Sequence, residues 1–396
     1  MKDRIGRIFR VSAFLIKLAL AKVVSLFAKL FPKYKNLWII AERGDDARDN
    51  GYFFYEYMRK NHPEVNLWYV IKSSSADYPK VKALGNSVEH GSFKHFVVYC
   101  VSRVRISSSL WGGDLPVADY FNKMRFCLSK KRKFIFLKHG IVKDFLPMHC
   151  SKAAGNPNMY VCGAKPEFDY VTENFGHPQG VVKYTGLARF DNLHNIKTKN
   201  QILLMPTFRK WLQKMTDAEV AESEYVSAWN RALCDERIID ALEKSQNELI
   251  FYPHYVMQKH IDNFSSTSDR VKIAKFKDYD VQQLLIESKL LVTDFSSVFF
   301  DFGYMKKPTV YYQFDRKRYI NEHYDYTKGY FDYDEMGFGE VALDHEALVL
   351  AICNSIENGF RVEEKYAKRL EKFFPVCDTK NCERIYDNIL RLIKKD

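Results

Sequence analysis

Two histidines stand where a proton could be moved. The apolar run 134–137 is followed by Lys138-His139-Gly140, and the run 248–251 by Tyr252-Pro253-His254-Tyr255. An imidazole at a strand end faces solvent and titrates near neutrality, which suits general acid or base work. A third stretch, 290–303 (LLVTDFSSVFFDFG), passes from an apolar run through Thr293, Asp294, Ser296 and Ser297 into a second apolar run that can be a helix. The first N–H groups of a helix lack intrahelical partners and lie at the positive end of its dipole, so such a turn suits phosphate or pyrophosphate. The same residue types also serve as plain helix caps.

Two arginines complete the set. Arg209 closes Met205-Pro206-Thr207-Phe208-Arg209 after the run 201–204, and Arg189 lies in Gly186-Leu187-Ala188-Arg189-Phe190-Asp191 after 181–184. A forked guanidinium matches phosphate. Asp191 could orient it, or the two could form a surface ion pair. Two histidines, two arginines and a Ser/Thr turn at five strand ends describe a cleft for phosphoryl transfer. The chain carries no Walker A, GxGxxG or HExxH pattern.

Strands must position these groups. Short apolar runs at 37–40, 66–71, 104–109, 134–137, 159–163 and 181–186 alternate with helical or loop segments. A second series follows at 201–205, 248–252, 271–276, 290–292 and 309–313. This alternation predicts two parallel α/β sheets, whose ligands sit beyond the carboxyl ends of the strands. The boundary is expected near 193–200, giving domains at 36–196 and 197–355 and a helical segment at 356–396. The polar stretch 211–244 is expected to hold an insertion.

Residues 1–35 form a unit of their own. Arg4, Arg7, Arg10, Lys17, Lys22 and Lys29 fall on one side of a helix, and Ile5, Phe9, Ile16, Leu20, Val23, Phe27 and Leu30 on the other. Lysines interrupt it too often for an expected bilayer span. It lacks the cleavage site of a signal peptide. The pattern predicts a basic amphipathic helix on an anionic membrane surface, with packing on its own protein as the alternative. Pro32 is expected to end it.

Composition narrows the partners. With 396 residues, 46% hydrophobic and 28% charged, the chain is globular and long enough for two domains. Lys and Arg outnumber Asp and Glu by 61 to 49, which favours nucleic acid, anionic lipid or phosphorylated substrates. No zinc-finger spacing, RNA-recognition signature or arginine-rich arm supports nucleic acid. Eight scattered cysteines without a CxxC pair argue against a disulfide framework or zinc site and fit a reducing compartment.

These motifs resemble those of the CDP-glycerol glycerophosphotransferase family, the teichoic acid primases and polymerases of bacterial envelope synthesis. Lys138-His139-Gly140 is similar to the family's HG motif. Pro206-Thr207-Phe208-Arg209 is similar to PTxR, and Pro253-His254-Tyr255 to a PHP-like motif with Tyr255 in place of proline. Residues 293–302 resemble TDYSS-x-x-FDF with Phe295 in place of tyrosine, and 186–191 resemble GxPRxD with Ala188 in place of proline. Asn381-Cys382-Glu383-Arg384 resembles a closing S-x-R-like signature, so the likeness covers 37–393.

The resemblance implies an α/β GT-B fold, two Rossmann-like domains facing across a cleft, with the nucleotide on the C-terminal one. It implies in-line attack by an acceptor hydroxyl on the glycerol-bearing phosphate, displacing CMP. On this reading His139 is the base on the acceptor side and His254 serves the donor pyrophosphate, as an imidazolium that stabilises charge or protonates CMP. The two roles are open to exchange. Arg209, Thr293, Ser296 and Ser297 would hold donor phosphate oxygens, with Asp294 and Arg189 among the donor-binding residues. Lys138, Gly140 and Thr207 would support them, and Asp301 would orient the turn. The donor is CDP-glycerol or CDP-ribitol. The acceptor is a lipid-linked teichoic acid or capsule precursor at the cytoplasmic face of the membrane. No metal cage is evident, so no cofactor is expected to be required, with a loosely held Mg2+ on the pyrophosphate as the remaining option. A GT-B nucleotide-sugar glycosyltransferase and an idle membrane-bound scaffold are the competing readings.

Overall fold

A computed structural model describes residues 2–116, 132–323 and 327–394, with side chains from Phe9 onward. Arg4, Ile5, Arg7 and Cys127 therefore lie outside the described side chains. The chain forms two compact units. The first comprises Met1–Ile141, Pro147–Asn192 and Asp378–Asp396; the second comprises Val142–Leu146 and Leu193–Cys377.

The first unit is built on a seven-stranded sheet: β1 (Trp38–Ala41), β2 (Leu67–Ile71), β3 (Ser87–Glu89), β4 (Val104–Ser107), β5 (Lys133–Phe136), β6 (Met159–Cys162) and β7 (Val182–Tyr184). All pairings are parallel and the order is β3-β2-β1-β4-β5-β6-β7. Sequences such as WIIA, LWYVI and MYVC are apolar without alternation because both faces of a parallel sheet are covered. Between β1 and β4 the order reverses direction, so the loops leaving these strands part and open a crevice.

The second unit repeats the plan with β8 (Gln201–Leu204), β9 (Glu248–Phe251), β10 (Val271–Ile273), β11 (Leu290–Thr293), β12 (Thr309–Tyr312) and β13 (Gly339–Ala342). The order is β10-β9-β8-β11-β12-β13, again parallel throughout. Its reversal falls between β8 and β11, and so directly under Pro206–Arg209 and the Ser/Thr turn. Strands β3 and β13 were not expected from sequence: SVE and GEVA are short, polar edge strands with little hydrophobic signal.

Two helical regions differ from expectation. The segment 211–244 is no insertion. Helices Asp217–Ala221, Glu224–Leu233 and Glu236–Ser245 cover the sheet, and Trp229, Leu233, Ile238 and Leu242 are buried in the same core as Ile202, Leu249 and Val292. Polar outer faces, not an absence of core contacts, make this stretch read as polar. The last helices also divide: Glu364–Phe373 belongs to the second unit and Asn381–Lys394 to the first.

The N-terminal helix, α1 (Lys2–Ala28), packs with one stripe on the helix Phe93–Val101. Phe14, Leu18, Ala21 and Ala28, at spacings of three, four and seven, are buried against Phe96, Val97 and Tyr99. Lys17 lies with this stripe: its ammonium donates to the Gly91 carbonyl at 2.6 Å and sits 4.7 Å over the Phe96 ring. The other face leaves Phe9, Ile16, Leu20, Val23, Phe27 and Leu30 exposed. By length and composition Phe9–Ala28 suffices to cross a bilayer, contrary to the expectation from its lysines, although 28% of the window is buried within the protein. The helix stops at Ala28, four residues before Pro32, which opens a short 3-10 turn.

Candidate functional site

The first unit assembles a cluster at the carboxyl ends of β1 and β5. His139 follows β5, and its ring is open to solvent, with three-quarters of its side-chain surface exposed. Its Nδ1 lies 2.5 Å from Asp49 Oδ2. The other Asp49 oxygen, Oδ1, accepts from Arg189 Nη1 at 2.9 Å, and the same guanidinium nitrogen donates to the His139 carbonyl. Asp49 thus fixes Nδ1 as the donor and leaves Nε2 as the acceptor of an incoming proton. Asp49 raises the His139 pKa above its ordinary value, first by its charge and then by the hydrogen bond. Burial pushes the Asp49 carboxyl up, but His139 and Arg189 outweigh it and hold the acid below the usual range.

The surrounding loop is over-determined. Asp49 ends the β1 loop and precedes α2 (Asn50–Asn61). Buried Glu42 accepts three backbone N–H groups, from Arg48 and Asp49 at 2.8 Å and Tyr52 at 2.9 Å, which ties that loop to the first turn of α2. Burial, and then the neighbouring Asp49 charge, pushes the Glu42 pKa up to about 8. Asn50 joins all three loops: it donates to the Lys138 carbonyl at 2.9 Å and accepts from the Arg189 N–H at 3.1 Å. Lys138 is held in the left-handed region at φ 62°. Its ammonium is buried against Glu167, with a further bond to the Gly140 carbonyl at 3.2 Å. Strain immediately before His139 is thus locked by an ion pair and an amide.

Some sequence assignments change here. Arg189 binds Asp49 and the His139 carbonyl, and so holds the acid beside the histidine. Asp191 is neither a phosphate orienter nor a partner of Arg189. Its carboxylate accepts from the N–H groups of Asn381 and Cys382 at 2.8 and 2.9 Å and caps the last helix.

The second unit assembles its cluster at the reversal between β8 and β11. Arg209 is fully buried, with Asp294 Oδ2 at 2.8 Å, Asp315 at 2.6 and 2.9 Å, and the Thr207 carbonyl at 2.7 Å. A guanidinium so engaged presents no free fork to a phosphate. Asp294 is buried too and accepts from Thr207 and Phe295 N–H at 2.9 and 2.6 Å. The buried Thr293 hydroxyl donates to the Met205 carbonyl at 2.6 Å. Together these bonds clamp the β8 loop to the β11 turn. Asp301 lies buried within helix Val298–Tyr304, beyond the turn's open side.

Half-buried Ser296 and exposed Ser297 remain open on that turn. The Thr207 hydroxyl stands nearby without a hydrogen-bond partner among the described residues. His254 follows β9 and is half-buried, its ring 4.8 Å from Phe208 and 4.5 Å from Tyr255. Its Nδ1 accepts from the Val256 N–H at 3.3 Å, which puts the proton of the neutral ring on Nε2. Burial pushes its pKa down to about 4 against the upward pull of Asp294. In the free protein His254 is therefore a neutral N–H donor.

Asp49, Asn50 and Asp315 escaped sequence reading. The first two end a loop already rich in acids, and their partners lie about 90 and 140 residues away. The usable signal was an Asp-Asn pair between a strand and a helix. Asp315 follows β12 as Asp49 follows β1, each a carboxylate beyond a strand's carboxyl end. Among the described residues, no group of three or more His, Cys, Asp or Glu side chains is placed to hold a metal ion.

Two parallel α/β units, each with a polar cluster beyond its strands' carboxyl ends, make up a GT-B-like architecture. The backbone matches the wall teichoic acid polymerase TagF with a TM-score of 0.65 over 100% of this chain and 99% of that one, at 18% identity. Residues 22–391 match the family described as CDP-glycerol:poly(glycerophosphate) glycerophosphotransferase, and the chain belongs to that family. It is 32% identical over 390 residues to the minor teichoic acid biosynthesis protein GgaB of Bacillus subtilis (strain 168), covering 95% of this chain and 42% of GgaB. It is 28% identical over 425 residues to a teichoic acid glycerol-phosphate transferase of Staphylococcus aureus (strain NCTC 8325 / PS 47), covering 95% and 98%. The chain thus spans less than half of the first relative and nearly all of the second.

Proposed function

We propose that this chain transfers a polyol phosphate, glycerol phosphate first, from a CDP-activated donor to a hydroxyl of a membrane-linked envelope glycan, releasing CMP. The observation that carries the reading is the Asp49–His139 pair at a strand end in a member of this family. A polymerase of the same fold, in a histidine-to-asparagine variant, has been soaked with CDPG, which supports the same donor class.

His139 Nε2 removes the proton of the acceptor hydroxyl while Asp49 holds Nδ1–H and stabilises the imidazolium that forms. The hydroxyl oxygen attacks the phosphorus that bears the polyol. A new P–O bond forms, the bond to the bridging oxygen breaks, and its electron pair leaves with CMP. Ser296, Ser297 and Thr207 donate to phosphate oxygens. His254 Nε2–H donates to the developing charge on the pyrophosphate, and a bound dianion would draw its pKa upward. Arg209, Asp294 and Asp315 hold the serine turn in register without touching the donor. No step is assigned to a metal ion.

The exposed face of α1 lies on an anionic membrane at the cytoplasmic side. Phe9, Ile16, Leu20, Val23, Phe27 and Leu30 would enter the interface while Arg10, Lys22 and Lys29 meet headgroups. The test of the whole reading is incubation of the purified chain with CDP-glycerol or CDP-ribitol and a lipid-linked acceptor. CMP release with an acceptor heavier by one polyol phosphate is expected. Release of CDP would indicate a glycosyltransferase, and release of neither nucleotide would favour the scaffold.

A further inference from the structure

The second unit contains a cavity of about 110 Å³ that Phe295, next to Ser296, helps to line. That is several times the ~30 Å³ share of one water. Phe295, Tyr319, Phe331 and Tyr333 line it, as do Lys143 and Asp144. From these residues we infer a subsite for the polyol of the donor, one that sets which CDP-polyol is accepted. The inference rests on the donor reading above and gives it a specificity determinant.

The polar wall is built, not incidental. Residues 142–146 fold into the second unit, where Phe145 forms an antiparallel bridge with Thr327. Gly329 permits this approach, because a Cβ there would fall 2.2 Å from the Lys143 carbonyl oxygen. The Lys143 ammonium and the Asp144 carboxylate pair at 2.5 Å, with only 11% and 17% of their side chains exposed. The Tyr333 ring is nine-tenths buried, and its hydroxyl has no hydrogen-bond partner among the described residues. A buried hydroxyl of this sort costs stability unless something fills the place of water. An ammonium, a carboxylate and a phenol together give and accept hydrogen bonds, which is what a chain of hydroxyls needs from its site.

Ring geometry separates a polyol from a nucleobase. A base needs an open aromatic face. Phe295 is stacked on Tyr319 at 3.6 Å and 10°, and Tyr319 on His323 at 4.2 Å and 15°. Arg209 lies 5.3 Å from the Phe295 ring. Tyr319 is covered on both faces, by Phe295 and His323, and so offers the cavity its edge, whose positive rim favours oxygen-rich groups. The position follows from sequence as well: Phe295 is the residue before Ser296, so a polyol here would hang from a phosphate held on the turn.

The experiment is calorimetric binding of CDP, CDP-glycerol and CDP-ribitol to the full chain, to Tyr333→Phe and to Asp144→Asn, with CMP release measured alongside. One CDP-polyol should bind the wild type more tightly than CDP. That increment should fall about five-fold in Tyr333→Phe and about ten-fold or more in Asp144→Asn. CDP affinity should stay unchanged and report an intact fold. An increment that survives both changes overturns the subsite. So does an equal loss of CDP affinity, the absence of any increment in the wild type, or an effect confined to acceptor kinetics. A wild type that releases no CMP but shows an increment sensitive to both variants supports the subsite and refutes the transfer reaction.

Discussion

Replacing Asp49 by Asn tests the base most finely, because it changes one atom and almost no volume. In the wild type the two carboxylate oxygens hold different side chains: Oδ2 accepts from His139 at 2.5 Å and Oδ1 from Arg189 at 2.9 Å. The amide keeps one acceptor and turns the other into a donor, so only one contact survives. The His139 ring is three-quarters exposed, and little but Asp49 fixes its orientation. A positioned base is worth about 100- to 10,000-fold. Since Asn can still hold Nδ1–H part of the time, the loss should fall near the lower end, about 100-fold in turnover. The pH dependence moves as well. Asp49 raises the His139 pKa, so the acid limb of kcat/KM lies above the ordinary histidine value of 6.5 and should shift to lower pH in Asp49→Asn. Stability follows the same sign. The pair's contribution is fully present below the unfolded value of 6.5 and is lost as pH rises through the raised folded value, while the Asp49 part is lost only as pH falls below 3.8 through its lowered value. CMP release across pH, with a melting curve for each protein, reads all of this. Turnover within about three-fold of wild type and an unmoved acid limb would refute the reasoning.

Arg209→Ala should lower stability by about 3–5 kcal/mol, because it strands Asp294 and Asp315 without their cation; an unchanged melting temperature with a raised donor KM would return Arg209 to the phosphate. Ser296→Ala and Ser297→Ala should each raise the donor KM about two- to ten-fold at an unchanged melting temperature, and a pure acceptor effect would contradict the assignment. Leu20→Glu combined with Phe27→Glu should release the chain from anionic vesicles, since both residues are exposed and outside the buried stripe of α1. Continued sedimentation of that variant would remove the exposed face as the membrane contact.

Much of the architecture was legible because buried parallel strands are written as unbroken apolar runs. The β3 and β13 edges were not, since three or four half-polar residues carry no periodic signal. The motifs located both polar clusters, but side-chain type did not reveal direction. Arg209 and Arg189 are the same residue at comparable strand ends, yet one is sealed between two carboxylates and the other holds the acid that orients His139. Burial and partner identity decide such roles, and both depend on residues up to about 140 positions away. The α1 helix shows the reverse. Phe9, Ile16, Leu20, Val23, Phe27 and Leu30 face outward as their spacing predicts, whereas Lys17, expected among solvent-facing cations, turns inward to a carbonyl.

The central claim is a division of labour, with proton removal at His139 and donor binding at His254. Calorimetric binding of CDP-glycerol beside turnover, for His139→Ala and His254→Ala, tests it most directly. Both variants should lose about 100-fold or more in turnover. Donor affinity should survive in His139→Ala and weaken in His254→Ala. Near wild-type turnover in His139→Ala would remove it as the base, and donor binding weakened only in that variant would reverse the two roles.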